Sequence, residues 1–163
     1  MRWSDCCEEQ VLQRRITAMN IQCFGPLSED AICKLESALG VTLPGNYREF
    51  LKETGGGTVK QDGNNRITIP SIGQTIAVDV LFGYGAAQNS DILYWNEKYR
   101  DEMPDGAALI GFDVYQGFLF LIAGGDDTGV YYWDDSYVFE ESDDDQNVYL
   151  LVKDFSELAV SKS

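Results

Sequence analysis

The chain has no histidine. Ser-His-Asp and Cys-His nucleophilic systems are thereby excluded, because both need an imidazole base. Lysine and arginine are missing from residues 101–152, although thirteen Asp and Glu residues lie there. Phosphate binding needs clustered bases, so nucleic acid is not expected as a direct partner. An anionic membrane surface is disfavoured for the same reason. None of the cysteines Cys6, Cys7, Cys23 and Cys33 forms a C-x-x-C pair, which argues against a zinc site. No apolar run approaches the ~20 residues of a membrane helix, and the opening MRWSDCCEEQ has no apolar signal core. Reduced thiols in a cytoplasmic protein fit this usage. The phosphate-cradling Gly-x-x-x-x-Gly-Lys-Ser/Thr pattern is absent as well.

What is present is enough apolar material for one core. Of the 163 residues, 44% are hydrophobic, and the formal net charge is −15. The charge is uneven. Residues 1–66 carry nine acids and eight bases, so the acidity belongs to the later part of the chain. Such a face can simply be solvated and promote solubility. It would also steer a cationic partner.

Along the chain, Asp5 with Glu8 reads as a capping box for a first helix carrying Val11, Leu12, Ile16 and Met19. Phe24-Gly25-Pro26 breaks it. Ser28 caps a second helix with Glu29 and Asp30 in its first turn, Ile32, Leu35 and Leu39 on its apolar stripe, and Gly40 at its end. Leu27 and Ile32 suit a hydrophobic staple. After Val41-Thr42-Leu43-Pro44, a third helix presents Tyr47, Phe50 and Leu51, and Gly55-Gly56-Gly57 stops it. The pattern then turns to strands: 66–70, 76–82, 109–112, 117–123, 130–133 and 148–152, with turn material at Asp62-Gly63-Asn64-Asn65 and at 124–129. One helix interrupts them, from Ser90 through Ile92, Trp95, Tyr99 and Met103 to Pro104. Asp154 opens a short last helix. The fold class is α+β: a single domain with a largely antiparallel mixed sheet flanked by helices. Residues 1–24 read as an N-terminal helical extension and 25–160 as one compact unit.

The stretch GGDDTGVYYWDD poses the functional question. Asp126, Asp127, Asp134 and Asp135 flank an aromatic strand. Calcium wants six to eight oxygens from spaced acids, and this spacing is wrong. Acid/base work needs a carboxylate shifted by burial inside a cleft, and no sequence pattern indicates one. No catalytic residue, metal ligand or cofactor site is assigned. Turn chemistry accounts for Asp-Asp beside glycine. Along the strand, Tyr132 faces with Val130 and Tyr131 with Trp133. Both pairs can be buried. An exposed Tyr131/Trp133 pair rimmed by aspartates would instead suit a protein interface.

Several segments in order resemble one family. These are Leu27-Ser28 to Leu35-Glu36, Leu39-Gly40-Val41-Thr42-Leu43-Pro44, Tyr47-Arg48-Glu49-Phe50-Leu51 and Gly55-Gly56-Gly57. Ile110-Gly111-Phe112-Asp113, Gly117-Phe118-Leu119-Phe120, Val130 to Asp134 and Phe155-Ser156-Glu157-Leu158 follow. The series resembles the SUKH superfamily of cell-wall assembly regulators and bacterial toxin-immunity proteins, from about residue 25 to 160. Gly55 departs from that pattern, which often has Asn, and so does the acidic loop at 142–146. The resemblance implies a SUKH-like fold, no catalytic residues, and an immunity protein that binds and neutralises a toxin domain, for instance a nuclease. A regulatory or scaffolding adaptor is the alternative. The expected partner is a protein with a basic surface. The family carries over no binding residues. The acid pattern itself nominates Asp126, Asp127, Asp134, Asp135, Glu140, Glu141, Asp143, Asp144 and Asp145, with Tyr131 and Trp133 as anchors. Oligomeric state is not readable.

Overall fold

The computed structural model describes residues 18–158 and the backbone of residues 160–162. The helix expected from Asp5 lies outside the described residues up to residue 17. Met19 does not extend it: Met19–Cys23 is the first strand, β1. Strand β1 thus draws part of the supposed helical extension into the sheet. Its Met19 and Ile21 are buried while Gln22 is exposed, a strand period that helical spacing from Val11 obscured.

Helix α1 spans Glu29–Leu39 and α2 spans Gly45–Thr54. Both start and stop for local reasons. Ser28 Oγ accepts the Ala31 amide at 3.1 Å, and Gly40 takes the left-handed conformation that ends α1. Gly55 does the same for α2, and a side chain there would also strike the Gly25 carbonyl oxygen at 1.8 Å. The apolar stripes close on one another, with Ile32, Leu35, Tyr47 and Leu51 buried. Phe155, in the short 3-10 turn Phe155–Leu158, joins them edge-on to Tyr47 at 4.9 Å between ring centres.

The remaining strands are β2 (Gly57–Val59), β3 (Arg66–Thr68), β4 (Thr75–Leu81), β5 (Ala107–Asp113), β6 (Phe118–Ile122), β7 (Gly129–Trp133), β8 (Val148–Val152) and β9 (Val160–Lys162). The sheet runs β8-β7-β6-β5-β4-β2-β1-β9, and β3 shares an edge of β4 with β2. Among the strands of the described residues, β1 and β9 alone pair in parallel. Strands β5 to β7 carry near-continuous apolar sequence and sit deepest, as strands covered on both faces should.

The interrupting helix α3 covers Ile92–Lys98. Its cap is Asp91, not Ser90: Asp91 Oδ2 accepts the Tyr94 amide at 3.2 Å, while Ser90 closes a preceding 3-10 turn. Asn96 ties the helix to β5. It accepts from the Leu109 amide at 2.8 Å and donates to the Leu109 carbonyl at 3.0 Å, beside the register shift between Leu109 and Gly111. A bulge would otherwise leave those backbone groups short of partners.

Candidate functional site

Strand β7 organises the acidic segment. Its register sets Trp133 beside Phe118 and Val148, and Gly129 beside Ile122. The β6–β7 turn, with Asp126 and Asp127, therefore lies at one end of the sheet. Asp134, Asp135 and the loop to Asn147 lie at the other. Five residues at roughly 3.3 Å each separate the two Asp pairs by about 16 Å. Neighbours in sequence, these carboxylates do not form one cluster.

At the first end, Asp126 and Asp127 are exposed. Tyr131 is half-buried, stacks on Phe120 at 5.3 Å, and donates its hydroxyl to the Asp127 carbonyl at 2.6 Å. Its ring braces the turn.

At the second end two aspartates are fully buried. Asp134 Oδ1 accepts the Val138 amide at 2.9 Å, and Oδ2 accepts the Phe139 amide at 3.0 Å and the Ser142 hydroxyl at 2.6 Å. Asp113 Oδ1 accepts the amides of Tyr115 and Gly117 and the Tyr132 hydroxyl, at 3.1, 3.0 and 2.9 Å. Its Oδ2 is buried without a hydrogen-bond partner. Burial pushes the Asp113 carboxyl up to about 6, against the pull of those donors. The Tyr132 phenol is raised by burial and by the carboxylate it meets. Gly117 makes this contact possible: a Cβ there would lie 1.9 Å from the Tyr132 hydroxyl.

Two of the expected surface residues are thus corrected. Asp134 is not on the surface: it is an internal brace, its oxygens turned to the loop backbone and the Ser142 hydroxyl. Trp133 is also buried, edge-on to Tyr99 at 5.4 Å and tilted on Phe118 at 5.6 Å. The end of α3 covers it. Asp135 is half-buried; Glu140, Glu141, Asp143, Asp144 and Asp145 are exposed. Glu141 accepts from Gln74 Nε2 at 2.8 Å, and Asp143 Oδ1 accepts the amides of Asp145 and Gln146. The acidic loop is internally bonded.

The sequence reading passed over Val114, Tyr115, Tyr137 and Val138, all exposed at this second end. The available signal was an aromatic and aliphatic run, Tyr137-Val138-Phe139, inside an acidic loop. Only Phe139 turns inward, where it packs on Tyr132.

Among the described residues, no group of three or more His, Cys, Asp or Glu side chains could hold a metal ion. A cleft of about 530 Å³ beside Tyr115 is lined by Gln61, Asn65, Arg66, Val114 and neighbours, with no carboxylate among them. No helix among the described residues is long and apolar enough to cross a membrane.

One sheet carried by braced helices, with its polar chemistry placed on fixed surface loops, defines an α+β domain of the SUKH type. Residues 26–160 match the model of the SMI1/KNR4 family (SUKH-1), and the chain belongs to that family. A search of curated proteins returns no match.

Proposed function

We propose that the chain is a non-enzymatic immunity protein that binds a cognate bacterial toxin domain with a basic surface and neutralises it. Family membership supports protein–protein interaction in general. The observation that carries the finer reading is the charge distribution. Thirteen acids and no base occupy residues 101–152, and Asp126, Asp127, Glu140, Glu141, Asp143, Asp144 and Asp145 among them are exposed. A nuclease cleft is basic because it holds phosphates. An acidic protein competes with nucleic acid for that cleft, and its field raises the encounter rate.

Calorimetry against the C-terminal domain of any large secreted protein encoded immediately upstream tests the proposal. Binding in roughly the nanomolar range is expected, weakening as salt rises. A correctly folded domain that fails to bind would remove this pairing and leave the adaptor role. Tight binding indifferent to salt would remove the electrostatic account.

A further inference from the structure

We infer that the docking surface is the second end of the sheet alone, with Tyr115, Tyr137 and Val138 as apolar anchors inside an acidic rim, and that its occupant is a basic protein surface carrying apolar side chains. The inference rests on the proposed function only for the partner being a toxin. The surface itself follows from packing and charge.

Six large hydrophobic residues are exposed among the described residues, and five of them lie at this end: Val114, Tyr115, Tyr137, Val138 and Val148, each 42–50% exposed. The register requires it. Phe112 pairs with Phe118, Phe118 with Trp133 and Trp133 with Val148, so the 113–117 turn, the 134–147 loop and the start of β8 cap the same strand ends. Scattered exposed hydrophobics need no explanation, whereas several gathered on one surface and rimmed by charge mark an interaction site.

These anchors are held in place before any partner arrives. Buried Asp113 fixes the amide of Tyr115, and buried Asp134 fixes those of Val138 and Phe139. Tyr137 has φ +53°, and its hydroxyl donates to Asp144 at 2.8 Å. A side chain ordered beforehand loses less freedom on binding. The hairpin end differs. Asp126 and Asp127 are exposed there, but the neighbouring aromatic Tyr131 is spent on Phe120 and the turn.

The rim decides the occupant. Residues 135–147 hold six acids and no base. A second copy of the chain would set one acidic rim against another, and like charges brought together cost affinity. A cationic partner loses nothing by this, and its apolar groups would meet Tyr115, Tyr137 and Val138.

Two peptides of equal length and charge test the surface without the toxin: alternating arginine and leucine, and alternating arginine and serine. Each is titrated into the isotope-labelled full chain and followed by its amide resonances. The leucine peptide is expected to shift residues 114–116 and 135–148 and to bind about tenfold tighter than the serine peptide. The double substitution Tyr137→Asn with Val138→Ser should erase that preference without lowering the unfolding midpoint, since Asn tolerates the left-handed backbone. Equal affinity for both peptides, shifts spread evenly over the acids including 124–128, or an unchanged double variant would each overturn the inference. The toxin domain separates this from the functional proposal. If it binds and the double variant binds it equally well, the surface is wrong and the function stands. If it does not bind while the peptides map to 114–116 and 135–148, the surface stands and the function falls.

Discussion

The two halves of this protein treat carboxylates in opposite ways. Between α1 and α2, acids meet cations. Arg48 Nη2 lies 3.4 Å from Glu36, Lys52 Nζ lies 2.8 Å from Glu29, and Arg48 also binds Glu29. At the loop end residues 101–152 supply no Lys or Arg, and acids meet backbone amides and hydroxyls instead. Asp113 and Asp134 take three donors each. The first arrangement cancels charge on a partly exposed surface, where pairs open to water contribute little to stability. The second keeps the negative charge and uses it to set loop shape. Neutral donors hold both oxygens of Asp134 and one oxygen of Asp113, so the rim outside them stays uncompensated and available to a partner.

Removing Asp134 should give the largest effect. Asp134→Ala strands the Val138 and Phe139 amides and leaves the Ser142 hydroxyl only Tyr149 as a partner, and hydrogen bonds to a charged group are the costly ones to lose. A loss of about 3 kcal/mol in urea unfolding is expected, together with loosened amides over 137–142 in hydrogen exchange. Asp134→Asn should recover part of it, because one oxygen remains while the amide faces a donor. A cost no larger than that of removing an exposed acid would erase the contrast between the halves.

That contrast was only partly legible in the sequence. The helical half was, because caps, stripes and glycine stops are local: Ser28, Gly40 and Gly55 act where their neighbours indicate. Strands β5 to β7 were too, from their apolar runs, and β4 from its alternation. Strand β1 was not, since its partners β2 and β9 lie far along the chain and its five residues follow a helical spacing. Aspartate roles were the least legible. Asp134 and Asp135 are adjacent and identical in type, yet one is buried and one reaches the surface. Strand register decides that, and register is a property of the sheet. The same fact separated Asp126 and Asp127 from the loop they seemed to join.

Asp113 should give the next largest effect, visible through pH. Its carboxyl is raised from 3.8 to about 6 by burial, so the folded state binds the proton more tightly than the unfolded chain. Stability from this group is complete below the unfolded value and is lost as pH rises through about 6. The swing is on the order of 2–3 kcal/mol. Asp113→Asn keeps a carbonyl oxygen for the Tyr115, Gly117 and Tyr132 donors and puts a neutral amide where Oδ2 has no partner. The variant should gain on the wild type near pH 7, and the gap should close as pH falls toward the unfolded value. Parallel curves across that window would show that Asp113 is not strained by its burial.

Glu29 supplies the smallest effect, with the opposite sign. Hydrogen bonds from Arg48 and Lys52, then their charges, hold its carboxyl near 2 against an ordinary 4.5. The contribution is therefore present above about 4.5 and is lost as pH falls toward 2. The Glu29 side chain is 53% exposed, so water and salt screen the pairs. Glu29→Gln should lower the melting temperature slightly at neutral pH and low salt. Its curve should meet the wild type's in acid, and raising the salt should close the gap at neutral pH. A deficit as large as that of Asp134→Ala, or one that survives high salt, would mean that the exposed ion pairs hold the helices as firmly as the buried aspartate holds its loop. The division between cancelled and retained charge would then no longer separate the two halves.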